Sequence, residues 1–204
     1  MPTNNQSNSP VPTLRPCKRY IATHSPTGQS IYAPSPAQVY NVANASFGGM
    51  ARSYALASLP ANLTHDVDLK AYTAESGPTS YRRSEIVIPS PPGGGGGGGG
   101  GGANLVVVDL KPGGVSAMHR TASVDFSVCV VGEVEHELDG GQKVRLLPGD
   151  HIVQRGTMHR WSNPSETEPA RFVACTLPCI PFDIAGEELR EVHLPSPTKR
   201  GSKL

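Results

Sequence analysis

Aromatic side chains make up only 5% of this 204-residue sequence, with one tryptophan, Trp161, and cysteine occurs just four times. So few cysteines exclude a disulfide-framed miniature fold. Cys17, Cys129, Cys175 and Cys179 form no Cys-x-x-Cys pair with histidines at finger spacing, so no structural zinc site is expected, and reduced thiols are. Net charge is nearly absent: 18 Lys and Arg stand against 17 Asp and Glu, leaving +1. That balance argues against nucleic acid as a partner and against a cationic membrane-binding face. No apolar run reaches the roughly 18 residues that cross a bilayer. The opening MPTNNQSNSPVP lacks the apolar stretch of a secretory leader, so a soluble, intracellular chain is expected.

Glycine and proline are plentiful instead, at 23 and 20 residues. They gather in the ends and in one linker, which leaves the remainder able to build a single core. Residues 1–16, rich in Asn, Ser and Pro, read as a disordered tail. Residues 17–92 read as N-terminal strands and an extension, with a hairpin in YIATHSPTGQSIYAP around its Pro-Thr-Gly turn. Residues 41–85 leave helix and extended crossing open, and Ser84–Pro89 reads as a strand. Ten glycines, Gly93–Gly102, follow Pro91-Pro92. A polyglycine run has the most backbone entropy to lose and nothing to bury, so it reads as a surface loop. No Gly-Lys-Ser/Thr follows it, which excludes a phosphate-cradling loop.

Between 103 and 180 the pattern is strand after strand: NLVVVDLKP, VDFSVCVV, EVEHELDG, QKVRLLP, HIVQR, HRWSN and ARFVACTL, separated by Gly, Pro and Asn-Pro signals. Leu138-Asp139-Gly140-Gly141-Gln142 marks a hairpin. Short strands at this spacing predict a sandwich or barrel. Residues 181–193 read as a short C-terminal helix, FDIAGEELREV, with Asp183 near its start. Residues 194–204 form a basic, proline-containing tail whose Ser202-Lys203-Leu204 reads as a peroxisomal import address, with the import receptor as a partner and the cytoplasm as the location otherwise.

The chemistry-bearing residues fall in two glycine-bounded stretches, GGVSAMHRTASVDFSVCVVG (113–132) and GDHIVQRGTMHRWSN (149–163). Alternate strand residues share a face, so His119, Thr121, Ser123 and Asp125 are expected to point one way, with His159 meeting them from a neighbouring strand. Two imidazoles and a carboxylate in one hollow make a metal site. His24, His65, His136, His151 and His193 are expected to be solvent-facing or structural.

At these residues the chain resembles the cupin superfamily. Gly113, His119, Asp125 and Gly132 keep the spacing of its first motif, with Thr121 at the second His position and Asp125 at the Glu position. Gly156, His159 and Asn163 match the end of the second motif, Pro148-Gly149-Asp150 its entry turn, and Gln154 stands where proline is usual. HRTxSxD followed by GDxxVQRGTxHxW is similar to small single-domain cupins of fungal natural-product gene clusters. The resemblance implies an all-β, double-stranded β-helix (jelly-roll barrel) with an irregular N-terminal extension. It implies a divalent metal (Fe, Mn, Ni or Zn) on His119, Asp125 and His159. Catalytic roles for Asp125 and Gln154 follow, and a pocket lined by Thr121, Gln154 and Trp161. Asp125, one methylene shorter than Glu, is left open among direct ligand, water-mediated ligand and proton acceptor. The implied activity is metal-dependent turnover of a small oxygenated organic substrate, by dioxygenase, decarboxylase or dehydratase/isomerase chemistry, in a chain that could form a homodimer. The rival class is a ligand-binding or structural cupin without metal turnover, favoured by Thr121 in place of histidine.

Overall fold

The computed structural model of the chain describes residues 9–42, 46–83 and 101–195. The strand expected over 84–89, residues 93–100 of the glycine run and the Ser202-Lys203-Leu204 tripeptide lie outside the described residues.

Among the described residues, fifteen strands and one α-helix follow in chain order: β1 (Ile21–His24), β2 (Ser30–Ala33), β3 (Tyr40–Asn41), β4 (Gly48–Leu56), α1 (Val67–Thr73), β5 (Ala103–Leu110), β6 (His119–Arg120), β7 (Ser123–Val131), β8 (Val134–Leu138), β9 (Lys143–Leu146), β10 (His151–Arg155), β11 (His159–Ser162), β12 (Ala170–Pro178), β13 (Asp183–Ile184), β14 (Glu187–Glu188) and β15 (Val192–His193). Two antiparallel sheets, ordered β10-β7-β12-β5-β4-β3 and β15-β6-β11-β8-β9, face each other and form the jelly-roll barrel. Alternation explains the pairing: Val106, Val108, Cys129, Val134, Leu146, Phe172 and Ala174 turn inward to form the core with Trp161. Trp161 stacks on Phe172 with ring centroids 4.4 Å apart.

The expected hairpin at the N-terminal end forms, with Ile21 paired to Ala33. Leu138 donates its N–H to the Gln142 carbonyl at 2.9 Å, closing the β8–β9 turn. Two expectations are corrected. Residues 182–192 form no helix but the β13–β14 hairpin and β15, because Ala185 and Gly186 both adopt positive φ (54° and 89°), the backbone of a tight two-residue turn. Residues 9–16, read as tail, pack on the barrel: Val11 and Leu14 are buried. There the Ser9 hydroxyl donates to Asp109 and the Arg15 carbonyl accepts from Arg171. The buried Arg171–Asp109 ion pair, at 2.5 and 2.7 Å, anchors this cover to β5 and β12. Among the described residues no helix is long and apolar enough to cross a membrane, and all four cysteines are free thiols.

Candidate functional site

The site is built where the chain leaves one sheet for the other. His119 lies on β6, in the five-stranded sheet, as the Cα partner of His159 on β11 and of His193 on β15. Two residues after β6, the chain enters β7, which runs in the six-stranded sheet between β10 and β12. The imidazoles of His119 and His159 lie against each other, tilted by 49°, with ring centroids 4.3 Å apart. His136, on β8, stacks against the other side of His159 at 5.2 Å. The exposed His193 stacks parallel to His119 at 5.7 Å.

Hydrogen bonds fix the ring orientations. His119 Nδ1 lies 2.9 Å from the Ala117 carbonyl, and His159 Nδ1 3.0 Å from the Thr157 carbonyl. A carbonyl only accepts, so the Ala117 partner assigns the His119 proton to Nδ1 and leaves its Nε2 lone pair free, whereas His159 Nδ1 lies between the Thr157 carbonyl and the Gln154 amide nitrogen, each at 3.0 Å. Burial holds both rings neutral. His159 is lowered to about 3, first by desolvation and then by the neighbouring His119. His119 is lowered chiefly by desolvation, against the opposing pull of the Ala117 carbonyl. Gln154 supports the group from β10: its Oε1 accepts from His136 Nε2 at 3.0 Å, and its Nε2 donates to the Thr157 carbonyl at 2.7 Å. Gly156, at φ +62°, turns the chain between Gln154 and His159.

Asp125 lies on β7, in the six-stranded sheet. It is the Cα partner of Gln154 on one side and of Thr176 on the other. Its Oδ2 accepts a long 3.4 Å bond from Thr121, whose hydroxyl accepts in turn from Ser123 at 2.7 Å. Its Oδ1 is buried with no partner among the described residues. Burial pushes this carboxyl up to about 6, against the lowering effect of the nearby hydroxyls.

The structure brings together two members of the ligand set expected at His119, Asp125 and His159, the imidazoles, and not the three as one cluster. Among the described residues no three His, Cys, Asp or Glu side chains gather closely enough to hold an ion. Thr121, Ser123 and Asp125 do share a side, as their hydrogen bonds show, but the chain changes sheets between β6 and β7, so His119 pairs with His159 in the five-stranded sheet while Asp125 pairs with Gln154 in the six-stranded one. The fit to a metal is that of a two-nitrogen donor pair, with each Nδ1 anchored on a carbonyl as metal-binding histidines require.

A cavity of about 960 Å³ opens between the edges of β9 and β10. His136 and Gln154 form its floor, Arg120 and Arg155 stand on its wall, and Phe182 and Ile184 of the C-terminal hairpin close one side. Gln154 thus lines this cavity. Thr121 is engaged with Asp125 rather than lining this cavity. Trp161 is corrected from pocket wall to core: it is buried, stacked on Phe172 and edge-on to His136 at 4.6 Å. His136 was missed, although its strand carried the signal: it shares parity with Val134, a fully buried core residue.

Double-sheet barrel, motif spacing and paired histidines define the class, and the chain belongs to the cupin family. The family profile described as a cupin domain matches residues 106–176. Over 190 residues, 89% of each chain, the sequence is 36% identical to phomopsin biosynthesis cluster protein C' of Diaporthe leptostromiformis. It is 35% identical over 174 residues to oryzines biosynthesis cluster protein J of Aspergillus oryzae, covering 85% of this chain and 89% of that one. With a cupin-domain-containing oxidoreductase of Neurospora crassa it shares 31% identity over 183 residues, 88% of this chain and 83% of the relative. Among solved structures, a double-stranded beta-helix protein of Klebsiella pneumoniae aligns at 24% identity and a TM-score of 0.37, over 46% of this chain and 76% of its own.

Proposed function

We propose that this cupin is an oxidoreductase of fungal natural-product biosynthesis, acting on a small oxygenated organic molecule. The observation that carries this reading is the buried His119–His159 pair, held through the Nδ1 atoms with ring centroids 4.3 Å apart. The names of the relatives support the oxidoreductase class. His119 and His159 would hold a divalent ion of the Fe, Mn, Ni or Zn group, which when bound supplies redox or Lewis-acid chemistry.

The remaining work falls to the chain's own groups. The cavity between β9 and β10 admits the substrate, with Phe182 and Ile184 as apolar walls and Arg120 and Arg155 as donors to its oxygens. Gln154 holds His136 and the His159 turn in register. Asp125, ionised above about pH 6, accepts a proton at Oδ1, the oxygen without a partner.

The test is metal content and turnover of protein purified without chelators. About one equivalent of divalent ion is expected, lost in both His119→Ala and His159→Ala, with chelation lowering Tm. Less than about a tenth of an equivalent, unchanged by either substitution, overturns the metal reading. One observation favours a second reading, a ligand-binding cupin without metal turnover: no third ligating side chain joins the pair among the described residues. That reading expects metabolite binding in the β9–β10 cavity with no product formed.

A further inference from the structure

Three cations of the five-stranded sheet are already matched with carboxylates. Arg145 pairs with Glu133, Arg160 with Glu137, and Lys143 with both Glu135 and Glu137. Arg120, on β6, and Arg155, at the end of β10, are built differently. Both line the β9–β10 cavity, and among the described residues neither meets a carboxylate.

Backbone geometry makes these two arginines neighbours. The Thr121 carbonyl oxygen lies 3.7 Å from the place that a Cβ on Gly156 would take. Arg120 and Arg155 each precede one member of that contact, so they leave adjoining stretches of β6 and β10. Arg120 donates from Nε to the Arg190 carbonyl at 3.1 Å, which orients its guanidinium and leaves the terminal nitrogens to a ligand. Lys143 also lines the cavity, but two glutamates hold its ammonium at 2.9 and 3.1 Å. Asp139, on the β8–β9 turn, is the one carboxylate of the lining among the described residues.

Much of the remaining wall is apolar and bare. Phe182 and Val144 are each 49% exposed, and Ile152 and Ile184 extend their surface. The volume, about 960 Å³, suits an organic ligand of drug-like size. An inorganic anion would satisfy the arginines and leave these walls in water. A neutral apolar molecule would cover the walls and strip water from guanidiniums without replacing it.

We propose that this cavity selects a carboxylate carried on an apolar or aromatic body, which rests on the reading of the cavity as the substrate site. The carboxylate lies on Arg120 and Arg155, and the body lies against Phe182, Ile184 and Val144. A guanidinium fork gives two parallel N–H bonds to the two oxygens of a carboxylate, a match that an ester cannot reproduce. Arg120 and Arg155 thus determine specificity: they choose and orient the substrate and take no part in bond making.

The experiment is calorimetric titration of the full chain, as purified, with 4-phenylbutyrate and hexanoate and then with their methyl esters. Each acid is expected to bind at least about tenfold more tightly than its ester in about 50 mM NaCl, and to lose much of that margin in about 500 mM. Arg120→Gln and Arg155→Gln are each expected to keep the wild-type circular dichroism spectrum. Each is expected to weaken the acids about tenfold and to leave the esters unchanged. Should Arg120→Gln fail to fold, Arg155→Gln at its exposed position carries the test. Equal affinity for acid and ester overturns the proposal, as does an acid preference that survives in the folded variants, or binding of neither. Metal content separates this outcome from the oxidoreductase reading. A chain without metal that prefers acids keeps this assignment and loses that reading, and a metal-holding chain that prefers esters does the reverse.

Discussion

Gln154 and Asp125 are direct partners across the β7–β10 ladder, both buried and both facing the barrel interior, yet only one is satisfied. Gln154 has an acceptor and a donor matched to His136 and Thr157, while Asp125 keeps one carboxylate oxygen bare. A bare buried oxygen is costly to keep and is the group with most to gain from a ligand. The pair thus divides the interior into a fixed support and a reactive group.

Gln154→Leu tests the support. It strands His136 Nε2 without an acceptor and takes one of the two ring or amide partners from the Thr157 carbonyl, a buried loss of about 1–3 kcal/mol. Urea denaturation at pH 7 is expected to show that loss, with turnover falling as the His159 turn loosens. A stability unchanged from wild type would mean that both groups find other partners.

Asp125 tests the electrostatics, and the signs oppose those of the histidines. A carboxyl raised from 3.8 to about 6 contributes stability that is full below pH 4 and lost as pH rises through 6. An imidazole lowered to about 3 contributes stability that is full above 6.5 and lost as pH falls toward 3. Between pH 6.5 and 4 the two trends partly cancel. Asp125→Asn removes the first and leaves the histidines unopposed. Its loss of stability from pH 7 to pH 5 is expected to exceed that of wild type by about 1 kcal/mol. Denaturant titrations of both proteins at the two pH values measure the difference, and parallel losses would place Asp125 in a wetter setting.

What the sequence disclosed follows from where local rules apply. Strand alternation and glycine spacing located β5 and β7 through β12, because each strand's inward parity is a local property. The rule reached less far where the chain changed sheets: Thr121, Ser123 and Asp125 share a side as expected, but strand parity cannot tell that β6 pairs with β11 in one sheet while β7 runs in the other. FDIAGEELREV suggests helix because Glu, Leu and Arg are good helix formers. The Ala185-Gly186 turn and the burial of Leu189 beside Gly156 override that preference. His136 was legible by parity with Val134. Its role was not, since nothing local tells that Gln154 from another sheet completes it.

The Arg171–Asp109 pair carries the N-terminal cover. Asp109 is fully buried and Arg171 nearly so, and Ser9 joins them. Removing one partner leaves a buried charge unpaired, so Arg171→Met is expected to cost about 3–5 kcal/mol. The double variant Arg171→Met, Asp109→Leu removes both charges and is expected to recover most of that loss. Thermal and urea unfolding of the three proteins decide it. Equal losses in single and double variants would show that the carbonyl of Arg15, rather than the ion pair, holds the segment.

Gly156 ties the site to the C-terminal hairpin. Its φ of +62° disfavours any side chain, and a Cβ there would lie 3.1 Å from a Leu189 methyl carbon. Gly149 provides the comparison: φ is +100°, with nothing within 4 Å of its missing Cβ. Gly149→Ala therefore meets backbone strain alone, whereas Gly156→Ala meets strain and contact together. Each is expected to lose roughly 1–3 kcal/mol. Only Gly156→Ala is expected to lower turnover as well, because the turn it distorts delivers His159 to His119. Stability and kcat for the two variants separate the effects: a Gly156→Ala enzyme with wild-type kcat would show that the imidazole pair is set by the β8–β11 ladder and not by this turn.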